Sequence, residues 1–473
     1  MPDRIEYDSI GPLPIPEHAY YGVQSLRAKY HFSLSQEKLH PLFVKNLAVI
    51  KKVAAETNCK ANVLTEKTAE AIVRASEEIV DGHFREEFIV DAVQGGAGTS
   101  ANMNIKEVIA HRASELMGGT KDTYALVHPN DHVNCSQSTN DVFPTAGKLT
   151  VIDLMHPLIL TLSHLDKVLG EKSEEFTGVL KMARKPLQDA VPTTLGHSFR
   201  AYQSAVSRDI HHLNSAMETM YTVNIGGTAI GSSINAPEGY VSRIATNLAE
   251  ETGLPLKQAE DLFDATQSVD SFVRVSGAVK TAALTLSKMS NDLRLLSSGP
   301  TAGFGEINLP AKQNGSSIMP GKINPVILEV VSQVAFEIIG NDVTITMAAE
   351  SGQLELNPFE PIIFKNLFSS IELLTNAART LTANCIEGIT ANKTHCQDQV
   401  ERSVGIATCF CPYIGYEKAA HIAKESLRTG VSVRQLLLDS KWMSREQINH
   451  ILDIGQLARG ISNSEDNVTP LFV

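Results

Sequence analysis

Ile327-Leu-Glu-Val-Val-Ser-Gln-Val-Ala-Phe-Glu-Ile-Ile-Gly-Asn-Asp-Val-Thr-Ile-Thr-Met-Ala-Ala-Glu350 reads as one long helix. Val330, Val331, Val334, Ile338 and Ile339 recur at spacings of three and four and form one apolar stripe. The stretch is about twice the mean helix length of roughly 11 residues. Working outward, the same periodicity runs through 44–58, 66–80, 149–176 (with Pro157 as an expected kink), 199–221, 268–298 and 366–389. These lengths predict an all-α fold, a bundle of long antiparallel helices whose apolar faces extend to other subunits. Toward the C-terminus the helices shorten. Gly430 is placed to stop one of them, and Ser432 with Gln435 and Ser444 with Gln447 read as capping boxes. The first forty residues are rich in Pro and Gly and read as irregular. Three regions follow: 1–140, 141–395 and 396–473.

Composition narrows the function. With 41 Lys and Arg against 53 Asp and Glu the net charge is -12, which argues against a nucleic-acid partner. Aromatics at 6% and a single Trp442 suit packed helices better than a β-sandwich. The N-terminal residues lack a basic start and an apolar run, so no signal peptide is expected. No apolar stretch of about 18 residues exists for a membrane span. The six cysteines, Cys59, Cys135, Cys385, Cys396, Cys409 and Cys411, include no CxxC pair and no zinc spacing. They read as reduced core thiols in a cytoplasmic chain, and neither a metal nor a cofactor is expected.

Four small, polar, Gly-rich segments interrupt the helices: QGGAGTSANMN (94–104), HPNDHVNCSQSTND (128–141), KMARKPLQDAVPTTLG (181–196) and GFGEINLPAKQNGSSIMPGKINPV (303–326). Exposed backbone N–H groups and hydroxyls in such numbers are what an anionic ligand requires. The last segment is not a nucleotide loop, because five residues separate Gly315 from Gly321 and Ile323 follows Lys322. Gly95, Gly96 and Gly98 have no βαβ context for a dinucleotide.

Gly315-Ser-Ser-Ile-Met-Pro-Gly-Lys-Ile-Asn-Pro325 resembles the signature loop of the aspartase/fumarase superfamily, and the resemblance runs from about Tyr20 to about Gln456. Gly-Gly-Ala-Gly in 95–98, Thr139 in Ser-Thr-Asn, and GNDVTITMAAESGQLELN (340–357) resemble the ammonia-lyase branch more than class II fumarases. The resemblance implies removal of a Cβ proton and loss of ammonia from an aspartate-like dicarboxylate, through a dianionic aci-carboxylate. Donors aimed at such developing charge are typically worth ~3–4 kcal/mol each. By the same resemblance Thr99, Ser138, Thr139 and Ser317 hold the reacting carboxylate, and Ser316 is the general base. Lys322 stabilises that base and, with Asn324, binds the other carboxylate. Asn140 lies near the leaving amine. Gly315 and Gly321 bound a mobile loop, and Glu329 matches a residue that in fumarases pairs with a catalytic His. The partner is a small dicarboxylate, with neither nucleic acid nor membrane. The family's homotetramer implies a shared central bundle and active sites built from three subunits.

One departure stands out. Where the family carries Gly-Arg-Thr followed by His or Gln, this chain reads Ala183-Arg184-Lys185-Pro186. Pro186 has neither an N–H nor a polar side chain and cannot orient water, which disfavours fumarase-type hydration. Lys185 either replaces the Thr at the second carboxylate, reaches a larger substituent, or points to solvent. The expected reaction is ammonia elimination from L-aspartate. The alternatives are elimination from another or N-substituted aspartate, a class II fumarase, or an inactive relative. Because the chain is acidic overall, a dianionic substrate needs a local positive field, for which Lys322, Arg184 and Lys185 are candidates. His128, Asn130 and Asp131 are expected to start a helix, with Asn and Asp as caps.

Overall fold

A computed structural model describes residues 3–121, 124–315 and 317–453. The chain opens on a hairpin of β1 (Asp3–Asp8) and β2 (Gly11–Pro16), followed by α1 (Val23–His31), α2 (Pro41–Lys60), α3 (Glu66–Val80) and α4 (Thr99–Leu116). Next come α5 (Thr139–Glu175), β3 (Leu180–Lys185), β4 (Gln188–Thr194) and α6 (Leu195–Glu218). β5 (Thr222–Val223) pairs with β6 (Lys257–Gln258), around the short helices α7 (Glu238–Val241) and α8 (Ile244–Thr252). Then follow α9 (Leu262–Gln267), α10 (Asp270–Leu296), β7 (Ile307–Asn308), α11 (Val326–Glu350) and α12 (Glu360–Asn384). The chain finishes with β8 (Thr390–Ala391), α13 (Lys393–Arg402), α14 (Ala407–Ile414), α15 (Tyr416–Thr429), α16 (Val433–Asp439) and α17 (Arg445–Ile451). Among the described residues there are four sheets, each two-stranded. No described helix is long and apolar enough to cross a membrane.

The long periodic stretches are helices, most within a few residues of their expected bounds. α3 ends where the apolar pattern ends, with Thr65 capping its first turn through Thr68 N. α5 starts earlier than expected, at Thr139, and continues unbroken through Pro144 and Pro157. In α11 the stripe splits. Val331 and Ile338 are buried, whereas Val330 is exposed, as are Phe336, Val343 and Met347 on the outer faces. Burying a Val or Ile contributes about 1.5–3 kcal/mol. A helix apolar on all sides therefore has part of that stabilisation still to collect.

Two segments expected to be irregular are strands. In β1–β2 the register pairs Asp3 with Pro16, Ile5 with Pro14 and Tyr7 with Pro12. All three prolines thus fall on alternate positions, where no N–H is owed to β1. The 181–196 segment is also a hairpin, with an irregularity between Met182 and Arg184 and a Pro186–Leu187 tip. Of the two capping boxes, Ser444 and Gln447 form a complete one. Ser432 accepts from Gln435 N, but the Gln435 side chain turns to Asp439 Oδ1 at 2.7 Å and leaves the box half made. Gly430 ends α15 in a left-handed conformation, as expected.

The described chain divides into two compact units, 1–159 with 211–281 and 336–374, and 160–210 with 282–335 and 375–473. In the first, Ile15, Ala19, Val23 and Leu26 form one buried cluster that anchors the N-terminal hairpin. In the second, Leu180 and Met182 of β3 pack with Ile406, Phe410, Leu437 and Ile448 of the C-terminal helices.

Candidate active site

In the first unit the 94–104 and 128–141 segments meet at two helix starts. Gly96, Ala97 and Gly98 all have positive φ, at 84°, 53° and 83°, which turns the chain sharply into α4. Gly98 is required twice over, since a Cβ there would lie 2.4 Å from the Phe143 ring. Thr99 opens α4 on an exposed face, with its hydroxyl donating to Gly96 O at 2.7 Å. Ser138 caps α5: its Oγ accepts from Asn140 N at 3.2 Å, while its own N–H donates to Asp141 Oδ1 at 2.9 Å. Asn140 donates to Ala229 O at 2.8 Å. Thr139 Oγ1 accepts from Asn102 Nδ2 at 2.9 Å, so the two segments are joined by a side-chain hydrogen bond.

Beneath these hydroxyls lies a buried polar network. Asp141 Oδ2 accepts from Gly226 N and Thr228 N, each at 3.0 Å. Burial pushes its carboxyl up to about 6, against the opposing pull of those N–H groups and of Lys51. Lys51 is fully buried and donates to Asn134 Oδ1 and Gln137 Oε1, both at 2.9 Å. Burial, and the Lys106 amine nearby, hold Lys51 well below the usual lysine range. Lys106 reaches Asn130 Oδ1 at 3.0 Å, and burial pushes it down to about 8. The helix-start role of 128–131 is met differently from expectation: His128, not Asn130 or Asp131, is the cap. Its Nδ1 accepts from the N–H groups of both. The following turn, Pro129–Val133, is a π-turn that leaves the Asn130 side chain to Lys106.

In the second unit Lys322 and Asn324 line a cleft of about 750 Å3, together with Arg294, Lys312 and Glu329. The loop before α11 is sharply folded. A Cβ on Gly315 would fall 1.5 Å from Lys322 O, and Gly321 has φ +83°. Ser317 and Lys322 are exposed on this loop. Ser316, the expected base, lies outside the described residues. Lys185 is exposed near the hairpin tip, next to Pro186. Arg184 does not serve as an open cation. Its guanidinium pairs with the fully buried Glu306 at 2.5 Å and covers the Phe304 ring at 4.2 Å. Lys181 reaches the other Glu306 oxygen at 3.2 Å. Arg184 therefore clamps β3 to the segment before β7, and of the three candidate cations only Lys322 and Lys185 are exposed.

Residues 11–340 match the family described as Lyase, and residues 406–459 match the family described as Fumarase C C-terminus. The chain belongs to the aspartase/fumarase superfamily. It is 49% identical over 450 residues to an aspartate ammonia-lyase of Helicobacter pylori, with 95% of this chain and 96% of the relative covered. It is 46% identical over 463 residues to the aspartate ammonia-lyase of Bacillus subtilis, covering 98% of each. A crystal structure of a Brucella melitensis fumarate lyase:delta crystallin superposes with a TM-score of 0.93 at 46% identity, covering 96% of this chain and 99% of that one. A class II fumarase from Schistosoma mansoni also superposes at 0.93, at 34% identity, with 97% and 100% covered. The chain is accordingly a lyase, and the all-α superfamily fold expected from its long helices is the fold it has.

The superfamily motifs pointed to hydroxyls and missed what holds them. Asn102, Asn134, Gln137, Lys51 and Asp141 lie within or beneath the polar segments, and Arg294 and Lys312 line the cleft of Lys322. Lys51 left a legible trace. Helical spacing surrounds it with Leu47, Ala48, Ala54 and Ala55, so it had to be a lysine on a core face.

Proposed function

We propose that this chain catalyses the reversible elimination of ammonia from L-aspartate to give fumarate. The observation that carries the reading is the contrast in identity. Aspartate ammonia-lyases match at 46–49% over at least 95% of the chain, while the class II fumarase matches at 34%. Pro186, where a fumarase would carry a His, fits the same side.

In this reading Ser316 takes the Cβ proton, and the electron pair enters the neighbouring carboxylate as an aci-carboxylate. Thr99, Ser138, Thr139 and Ser317 hold that dianion. Lys322 and Asn324 bind the other carboxylate, Lys322 also favouring the Ser316 alkoxide. The C–N bond then breaks toward the amine beside Asn140, and ammonia leaves with the bonding pair. Absorbance growth in the fumarate band on adding L-aspartate tests the reaction; no growth at high enzyme and substrate would sink it. Ser316→Ala should abolish turnover, and an unaffected rate would remove the base.

A second reading keeps the elimination and changes the substrate. It is favoured by one observation, the exposed Lys185 where the family has Thr, a full charge available to a larger or more anionic substituent. Fumarate release from N-substituted aspartates faster than from L-aspartate would select it.

The reading includes a homotetramer with three-subunit active sites. Supporting it are exposed apolar residues on long helices: Leu160 of α5, Leu284 of α10, and Val330, Phe336, Val343 and Met347 of α11. A sedimenting active monomer would contradict it. The three-region division at 140 and 395, and a cytoplasmic setting where the six unpaired cysteines stay reduced, belong to the same proposal.

A further inference from the structure

Thr139 Oγ1 can either donate or accept, and its usefulness to an anion depends on which. The structure fixes the choice from three hydrogen bonds away. An amine is a donor toward both oxygens it faces, whether Lys51 is charged or neutral. Gln137 confirms the polarity independently: its Nε2 donates to Val133 O and Cys135 O, each at 3.1 Å, so the atom facing Lys51 is oxygen. Asn134 Nδ2 donates to Gln137 O at 3.1 Å, which turns Asn134 Oδ1 toward Lys51 at 2.9 Å. Asn134 Oδ1 then accepts a second N–H, from Asn102 Nδ2 at 3.3 Å. The other hydrogen of that amide goes to Thr139 Oγ1 at 2.9 Å. Asn102 is fully buried, and its own Oδ1 has no partner among the described residues, so its donors alone orient it.

We infer that Asn102 is a positioning residue, its polarity set by Lys51 through Asn134, that keeps the Thr139 proton outward as a donor for a substrate carboxylate. Lys51 and Asn102 both donate to Asn134 Oδ1, which leaves the second Asn102 N–H for Thr139, where the chain of bonds emerges. The inference rests on the proposed carboxylate role of Thr139 and adds residues that touch no substrate.

The test is a double-mutant cycle read by calorimetric binding of succinate, a dicarboxylate that does not react. A hydrogen bond to a charged group implies that Thr139→Val weakens succinate about ten- to hundredfold. Asn102→Leu and Lys51→Met should each weaken it several-fold in the native background. In the Thr139→Val background neither should weaken it further. Equal losses in both backgrounds, or no loss from either variant alone, would overturn the inference. Lys51→Met removes a buried amine and keeps the side-chain length, so it serves if Asn102→Leu does not fold. The two failures are distinguishable. If L-aspartate is not turned over but the succinate cycle shows coupling, the reaction assignment falls and the relay stands. If L-aspartate is turned over and the losses multiply, the relay falls alone. If the unmodified chain does not bind succinate, both fall.

Discussion

Gly98→Ala should cost far more than Gly96→Ala, two residues before and at the same turn into α4. Both glycines have φ near +84°, so both substitutions carry the left-handed penalty of about 1–2 kcal/mol. Their surroundings differ. The nearest atom to a Cβ on Gly96 is 3.8 Å away, an ordinary contact with Thr99. A Cβ on Gly98 would lie 2.4 Å from Phe143 Cδ2. Carbon–carbon contact needs about 3.5 Å, so the ring must retreat by roughly 1 Å. It has nowhere to go, being 1% exposed, edge-on to Phe43 at 4.9 Å and stacked on Phe364 at 5.1 Å. Overpacking of this kind typically adds about 1–3 kcal/mol. The expected difference between the two variants is therefore ~1–3 kcal/mol. Urea unfolding followed by helical circular dichroism, at one protein concentration, measures it. Equal midpoint shifts would refute the steric account and leave only backbone conformation.

Three further outcomes are expected. Thr139→Val should raise KM for L-aspartate about ten- to hundredfold, whereas Thr99→Val, whose proton is already given to Gly96 O, should do less; steady-state kinetics would expose a reversed order. Glu306→Ala strands Lys181 and Arg184 and should destabilise by about 3–5 kcal/mol, measured by thermal or urea unfolding; a shift below about 1 kcal/mol would mean the pair contributes little. Asp141 titrates at about 6 when folded against an ordinary 3.8, so its ionisation costs stability. The contribution is intact below about 3.8 and is lost as pH rises through about 6, a change of roughly 3 kcal/mol. Stability of the native chain relative to Asp141→Asn should fall across that window, and a flat difference would count against it.

Helix length was the most legible property, because apolar spacing over more than twenty residues leaves few alternatives. It named α3, α10 and α11 nearly to their ends, and placed α6 and α12 a turn or more too far along the chain. The hairpins escaped for opposite reasons. In β1–β2 three prolines look like strand breakers unless their alternate register is known. In β3–β4 small polar residues look like loop, because strand pairing rests on the backbone and not on side chains. Among candidate site residues, motif position proposed Ser138, Thr139 and Lys322, and it also marked Arg184 as an open cation. Only packing reveals that a buried Glu306, 122 residues away in sequence, takes that charge. Likewise, a capping His128 is invisible to rules built on Asn and Asp.

The proline spacing of β2 bears on how these chains behave when crowded. A sheet grows only by handing hydrogen bonds from one strand to the next, and a stack that propagates needs two usable edges per unit. On the edge of β2 facing away from β1, Pro12, Pro14 and Pro16 occupy the positions whose N–H would be offered outward. That side presents carbonyls and no donors. An incoming strand could pair in register only along β1, and the pair so formed would end in proline edges on both sides. The N-terminal ribbon can therefore be joined once, and it cannot seed a fibre.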